Sequence, residues 1–69
     1  MLMDILEKCV EKEISIYLSS GKVFRGKLFA YDHCGIHLTN VIELTSKYVR
    51  MEHSDFYIDI NHVEAIRWN

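Results

Sequence analysis

The sequence predicts a mainly β fold: a small barrel in which an N-terminal α-helix precedes a strongly bent five-stranded antiparallel sheet. Three observations carry that prediction. Ile14, Ile16 and Leu18 alternate with Ser15, Tyr17 and Ser19, the period-two pattern of a strand with one buried face. Ser20-Gly21-Lys22 then turns the chain. In the next run Phe24, Leu28 and Ala30 share a parity with Gly26, so a side chain is missing where the core expects one. Glycine on a packing face marks a bend or the close approach of another backbone, which is how small barrels turn corners.

The remaining elements follow in chain order. Leu2, Ile5, Leu6, Cys9 and Val10 recur at helical spacing, with Asp4, Glu7, Lys8, Glu11 and Lys12 on the other face, so the chain opens with a short amphipathic helix. Pairing along it nearly cancels: Asp4 and Lys8 attract at i, i+4, whereas Glu7 and Glu11 repel. The helix must therefore be held by packing its apolar stripe over an open end of the sheet. Strands are expected at Glu13 to Ser20, Lys22 to Tyr31, Ile36 to about Arg50, Asp55 to Ile60 and Val63 to Trp68. Between Thr45 and Asp55 the pattern is weakest, and Tyr48-Val49-Arg50-Met51 either extends the third strand or forms an ordered loop. A helix followed by five short strands is the order of an SH3-like barrel. The last strand, Val63 to Trp68, ends one residue before the sequence does, and an apolar uncovered edge invites pairing with another copy. If each copy offers one edge and accepts the other, the contact runs head to tail and closes into a ring.

Composition bounds the function. At 69 residues this reads as a single domain, 1–69, of a size that usually needs disulfides, a metal or oligomerisation. Cys9 and Cys34 are too few for a disulfide framework, nothing at the N-terminus resembles a secretory signal, and a reducing cytoplasm is the expected compartment. No apolar run reaches the ~20 residues that span a membrane. Net charge is −2, so no basic surplus advertises nucleic acid, although Lys22, Arg25 and Lys27 cluster on one hairpin.

Leu18-x-x-Gly21-x-x-x-x-Gly26-x-Leu28-x-x-x-Asp32, followed by Ile36-x-Leu38 and Glu43, resembles the first motif of the Sm and Sm-like (LSm, Hfq-type) proteins. The resemblance spans nearly the whole chain. It implies an Sm-like fold, a homo-oligomeric ring of roughly five to eight subunits sealed by the fourth strand of one pairing with the fifth of the next, and binding of single-stranded, often uridine-rich RNA. It places RNA contacts at Asp32, His33, Gly35, Asn61 and His62, and the subunit interface at Phe56, Ile58, Val63, Ile66 and Trp68. Two departures alter the inherited site. The loop Asp32-His33-Cys34-Gly35 keeps a histidine that stacks on a base, but Gly35 stands where the family has the asparagine that reads a base edge. Asp59 and Ile60 stand where an Arg-Gly pair is expected, with Asn61 and His62 next in the turn. Weak, poorly selective binding follows, because stacking tolerates any base whereas edge hydrogen bonds discriminate.

Other readings of the polar residues are thinner. His33, Cys34 and His37 are zinc-ligand types, but neighbours in a tight loop diverge and no second Cys/His pair completes a tetrahedron; no metal or other cofactor is expected. Ser15, Ser19 and Ser20 have no histidine nearby in sequence, and no glycine-rich loop leads into a helix, so no enzyme is expected. Tyr17 and Trp68 suit core or interface anchoring better than base stacking. The rival to RNA binding is a ring that serves as a structural or protein-interaction scaffold. Basic residues around the pore favour the first reading, and a broad apolar outer face the second.

Overall fold

The computed structural model describes residues 2–45, 50–51 and 55–68. Helix α1 (Leu2–Cys9) is followed by β1 (Glu13–Leu18), β2 (Val23–Tyr31), β3 (Gly35–Glu43), β4 (Arg50–Met51), β5 (Phe56–Asp59), a single 3-10 turn (Ile60–His62) and β6 (Val63–Trp68). All pairings are antiparallel. The path runs β4-β3-β2-β1-β6, with β5 also on β3. β4 and β5 return in order along β3, opposite Ile42–Glu43 and Gly35–Leu38 respectively, so both lie on the edge of β3 where the fourth of the five expected strands runs.

The core is small and closed. Leu6 and Cys9 from the helix meet Ile14, Ile16, Leu28, Ile36, Leu38, Val41 and Ile58, each essentially buried. Leu2, Met3 and Ile5 pack against this cluster, so the stripe on α1 covers the sheet as its spacing predicts. Val10 does not: the helix ends at Cys9 and Val10 is exposed in the turn that follows.

Gly26 is buried, and the β2–β3 register slips between Arg25 and Lys27. An added Cβ would lie 3.0 Å from the Thr39 carbonyl oxygen and 3.2 Å from Val41 Cγ2, so the glycine admits a close backbone approach. Asn40, across from this irregularity, has φ 54°, a left-handed value that asparagine tolerates better than most residues.

Four expectations need correction. The third strand stops at Glu43 rather than continuing to Arg50, and Arg50–Met51 belongs to the return strand; Tyr48 and Val49 lie outside the described residues. Ala30 is exposed, because a second irregularity between Leu28 and Ala30 inverts the parity and turns Tyr31 towards the core. Ser15 is 4% exposed although it alternates with core residues, since β2 and β6 flank it on both sides. Gly35, expected in the loop after Asp32, begins β3 and is crowded more tightly than Gly26: a Cβ there would lie 2.5 Å from the Ile58 carbonyl oxygen and 2.6 Å from the Tyr57 ring.

Candidate nucleic-acid interface

The β2–β3 turn is built around one carboxylate oxygen. Asp32 Oδ1 accepts from the backbone N–H of Cys34 at 2.8 Å and of Gly35 at 2.9 Å, and the Asp32 N–H donates to the Gly35 carbonyl at 3.0 Å. This is the aspartate-anchored turn that favours Asp at such a position. The Tyr57 hydroxyl, reaching across from β5, donates to the same oxygen at 3.0 Å. The backbone donors of Cys34 and Gly35, then the Tyr57 hydroxyl, hold the Asp32 carboxyl below the usual carboxylate range. Partial desolvation and the bond to Asp32 push the Tyr57 phenol up, so it stays a neutral donor.

The second loop repeats the device. Asp59 Oδ1 accepts from the Asn61 N–H at 2.9 Å and caps the 3-10 turn. The Ile60 N–H donates to the Cys34 carbonyl at 2.8 Å, and the Ser19 N–H to the His62 carbonyl at 2.9 Å. Three turns are thereby tied together at one end of the sheet. His33 and Cys34 from the first, and Asn61 and His62 from the second, are all exposed there. An exposed imidazole and an amide on one rim suit stacking and hydrogen bonding with single-stranded nucleic acid, while Asp32 and Asp59 set negative charge beside them.

On the outer face of the sheet lies a cleft of about 140 Å³ lined by Ala30, Tyr31, Asp32, His37 and Tyr57. His37 Nε2 is 3.1 Å from Asp55 Oδ2, and the exposed Phe29 ring meets the His37 ring edge-on at 5.1 Å. The Tyr57 ring lies over Gly35 in the space a Cβ would fill, and the residue is 58% exposed. Glu13, Ser15, Arg25, Arg67 and Trp68 line a second, smaller slot of about 20 Å³.

The LSM domain family matches residues 4–67. The chain belongs to that family. Solved structures agree on the fold of this LSM domain. A Pyrococcus abyssii Sm protein, in complex with a uridine heptamer, superposes with a TM-score of 0.87 at 24% identity, covering 100% of this chain and 99% of its own. A heptameric archaeal Sm protein gives 0.84 at 18% identity, covering 96% and 97%. A chain of the NatC complex bound to CoA gives 0.80 at 20% identity, covering 93% and 83%. No curated protein matches the chain.

The LSM domain brings together one group of sequence-predicted residues and divides the other. Asp32, His33, Gly35, Asn61 and His62 meet through the Cys34–Ile60 bond, but Asp32 and Gly35 serve the turn itself. Among the interface candidates, Ile58 is buried in the chain's own core, and Phe56 packs on Phe24 with ring centroids 5.6 Å apart. Val63 and Ile66 are half-buried against the core, and Trp68 is 46% exposed at the end of β6. Among the described residues no three His, Cys, Asp or Glu side chains converge on a metal position, and no hydrogen bond joins a serine hydroxyl to a histidine. Sequence reasoning missed Tyr57. Its signals were slight: a tyrosine between two acids at one-residue spacing, whose ring comes to lie over Gly35 only once β5 pairs with β3.

Proposed function

We propose that this LSM domain assembles head to tail into a homo-oligomeric ring of roughly five to eight copies and binds single-stranded RNA with little sequence selectivity. The observation that carries the reading is the joining of the two loops through the Ile60 N–H and the Cys34 carbonyl. It sets His33, Asn61 and His62 on one rim. The two outer strands support assembly: among the described residues β4 and β5 pair only with β3, and β6 only with β1, so each copy offers one unpaired edge of each kind there. The archaeal relatives described as heptameric and as a uridine-heptamer complex support the same reading.

Weak selectivity follows from Gly35. Tyr57 and the Ile58 carbonyl fill the space into which a base-reading side chain would project, so the position takes none. Stacking on His33 then contributes without discriminating. Two free thiols, Cys9 buried and Cys34 exposed, fit a reducing cytoplasm.

A scaffold without RNA is the second reading, favoured by the carboxyl groups of Asp32 and Asp59 on the rim and by the fold shared with a chain of the NatC complex. Native mass, followed by titration with labelled oligouridine and oligoadenosine at low salt near pH 6, separates the two. A ring that binds both oligomers with similar affinity, weakening as salt rises, is the expected result. A ring that binds neither transfers the assignment to the scaffold.

A further inference from the structure

The geometry points to an intersubunit guanidinium site, in which the acidic and aromatic outer face of β5 receives Arg67 of the next copy. The inference rests on the ring reading and adds the side chain that fixes each joint.

Which way the edge residues point is set by their partners. Pairing of Ser15 with Arg67 and of Tyr17 with Ala65 puts Arg67 and Ala65 on the outer face of β6, while Ile66 and Trp68 share the side of Ile16 and Ile14. On the other edge Ile58 enters the core, so Tyr57 faces out, with Asp59 and Asp55 two positions to either side. A sheet continued across the joint must keep core side with core side, so its register slides only in steps of two residues. Every step that keeps Arg67 beside β5 or the residue before it sets it across from Asp55, Tyr57 or Asp59. Within that span the conclusion does not depend on the register.

The chemistry matches at each of the three. A guanidinium pairs with a carboxylate through a planar fork and stacks on a tyrosine face. The Tyr57 ring is exposed and held flat over Gly35 by its bond to Asp32, and no lysine or arginine lines the cleft beside it. Arg25 and Lys27 already have carboxylate partners, Glu13 at 2.8 Å and Glu11 at 3.1 Å. Arg67 has none among the described residues. Charge also selects the mode of assembly: two β5 edges brought together would oppose acid to acid, whereas β5 against β6 opposes acid to arginine, which favours the head-to-tail joint that closes a ring.

The test compares dissociation on dilution, followed by light scattering, for the wild-type chain, Arg67→Glu and Lys22→Glu. The last makes the same charge change in the exposed β1–β2 turn. Arg67→Glu is expected to raise the concentration at which the assembly falls apart by about tenfold or more, and Lys22→Glu by less than about twofold. A wild-type ring with equal dissociation of both variants overturns the Arg67 joint and leaves the ring reading standing; a monomeric wild type removes both. Should Arg67→Glu fail to fold, three Cys34→Ser chains answer the same question, each with Arg67→Cys and one of Asp55→Cys, Tyr57→Cys or Asp59→Cys. Mild oxidation is expected to give a ladder of covalent multimers on a denaturing gel for at least one of them, and assemblies of wild-type mass that yield no ladder in any of the three refute the joint.

Discussion

Gly35→Ala is the smallest change that tests how the rim is built. Its Cβ would lie 2.5 Å from the Ile58 carbonyl oxygen and 2.6 and 2.7 Å from two carbons of the Tyr57 ring, well inside contact distance. The ring can swing away, but the carbonyl belongs to the β3–β5 ladder and moves only with the strand. Overpacking of this kind costs about 1–3 kcal/mol. A displaced Tyr57 also loses its bond to Asp32. Because the closest contact is to backbone, the expected loss is about 2–3 kcal/mol, the upper part of that range and a large part of the stability of so small a domain. At about 4–8 °C per kcal/mol for a chain of this length, the melting temperature should fall by about 8–24 °C. Gly26→Ala gives the internal comparison. Its nearest contacts are 3.0 and 3.2 Å, which a shift of a few tenths of an ångström relieves, so about 1 kcal/mol is expected. Thermal melts of the three chains at one fixed concentration measure the order. If Gly35→Ala melts with the wild type, or above Gly26→Ala, the close packing of Tyr57 and Ile58 around Gly35 is refuted.

Other outcomes follow from the same geometry. Asp32 has a depressed folded pKa, so its contribution is present above the unfolded carboxylate value of about 4 and disappears as pH falls through the folded one; melts from pH 5 to pH 3 should drop more for the wild type than for Asp32→Asn. Tyr57 is raised in the folded chain, so its contribution holds below the ordinary phenol value of about 10 and declines as pH rises through the folded one; Tyr57→Phe should flatten that alkaline limb. Trp68→Ala should weaken assembly on dilution while far-ultraviolet circular dichroism stays unchanged, since the side chain is half exposed at the free edge. His33→Ala should reduce affinity for oligouridine and oligoadenosine alike in fluorescence anisotropy, by about 1–3 kcal/mol per stacked base; a loss confined to one oligomer would show that His33 reads a base edge.

Periodicity carried the sequence a long way, and it did so wherever the structure is locally regular. The alternation through Ile14 and Ile16, the helical stripe ending at Cys9 and the empty core position at Gly26 are each visible because neighbours in the chain remain neighbours on one face. The spacing from Leu18 to Asp32 was enough to point to the family. Tertiary structure decided what depends on partners distant in sequence. The irregularity between Leu28 and Ala30 inverts parity, so a pattern read in steps of two puts Ala30 inside and the structure puts it outside. Arg50–Met51 carries no mark of its own that it turns back along Ile42 and Glu43. Gly35 looked like a loop glycine because the ring and carbonyl that crowd it come from positions 57 and 58, more than twenty residues away. Local spacing records which face a residue takes; which strand covers that face is written only in the long-range pairing, and the rim where Asp32, Gly35 and Tyr57 meet exists only once β5 has been laid against β3.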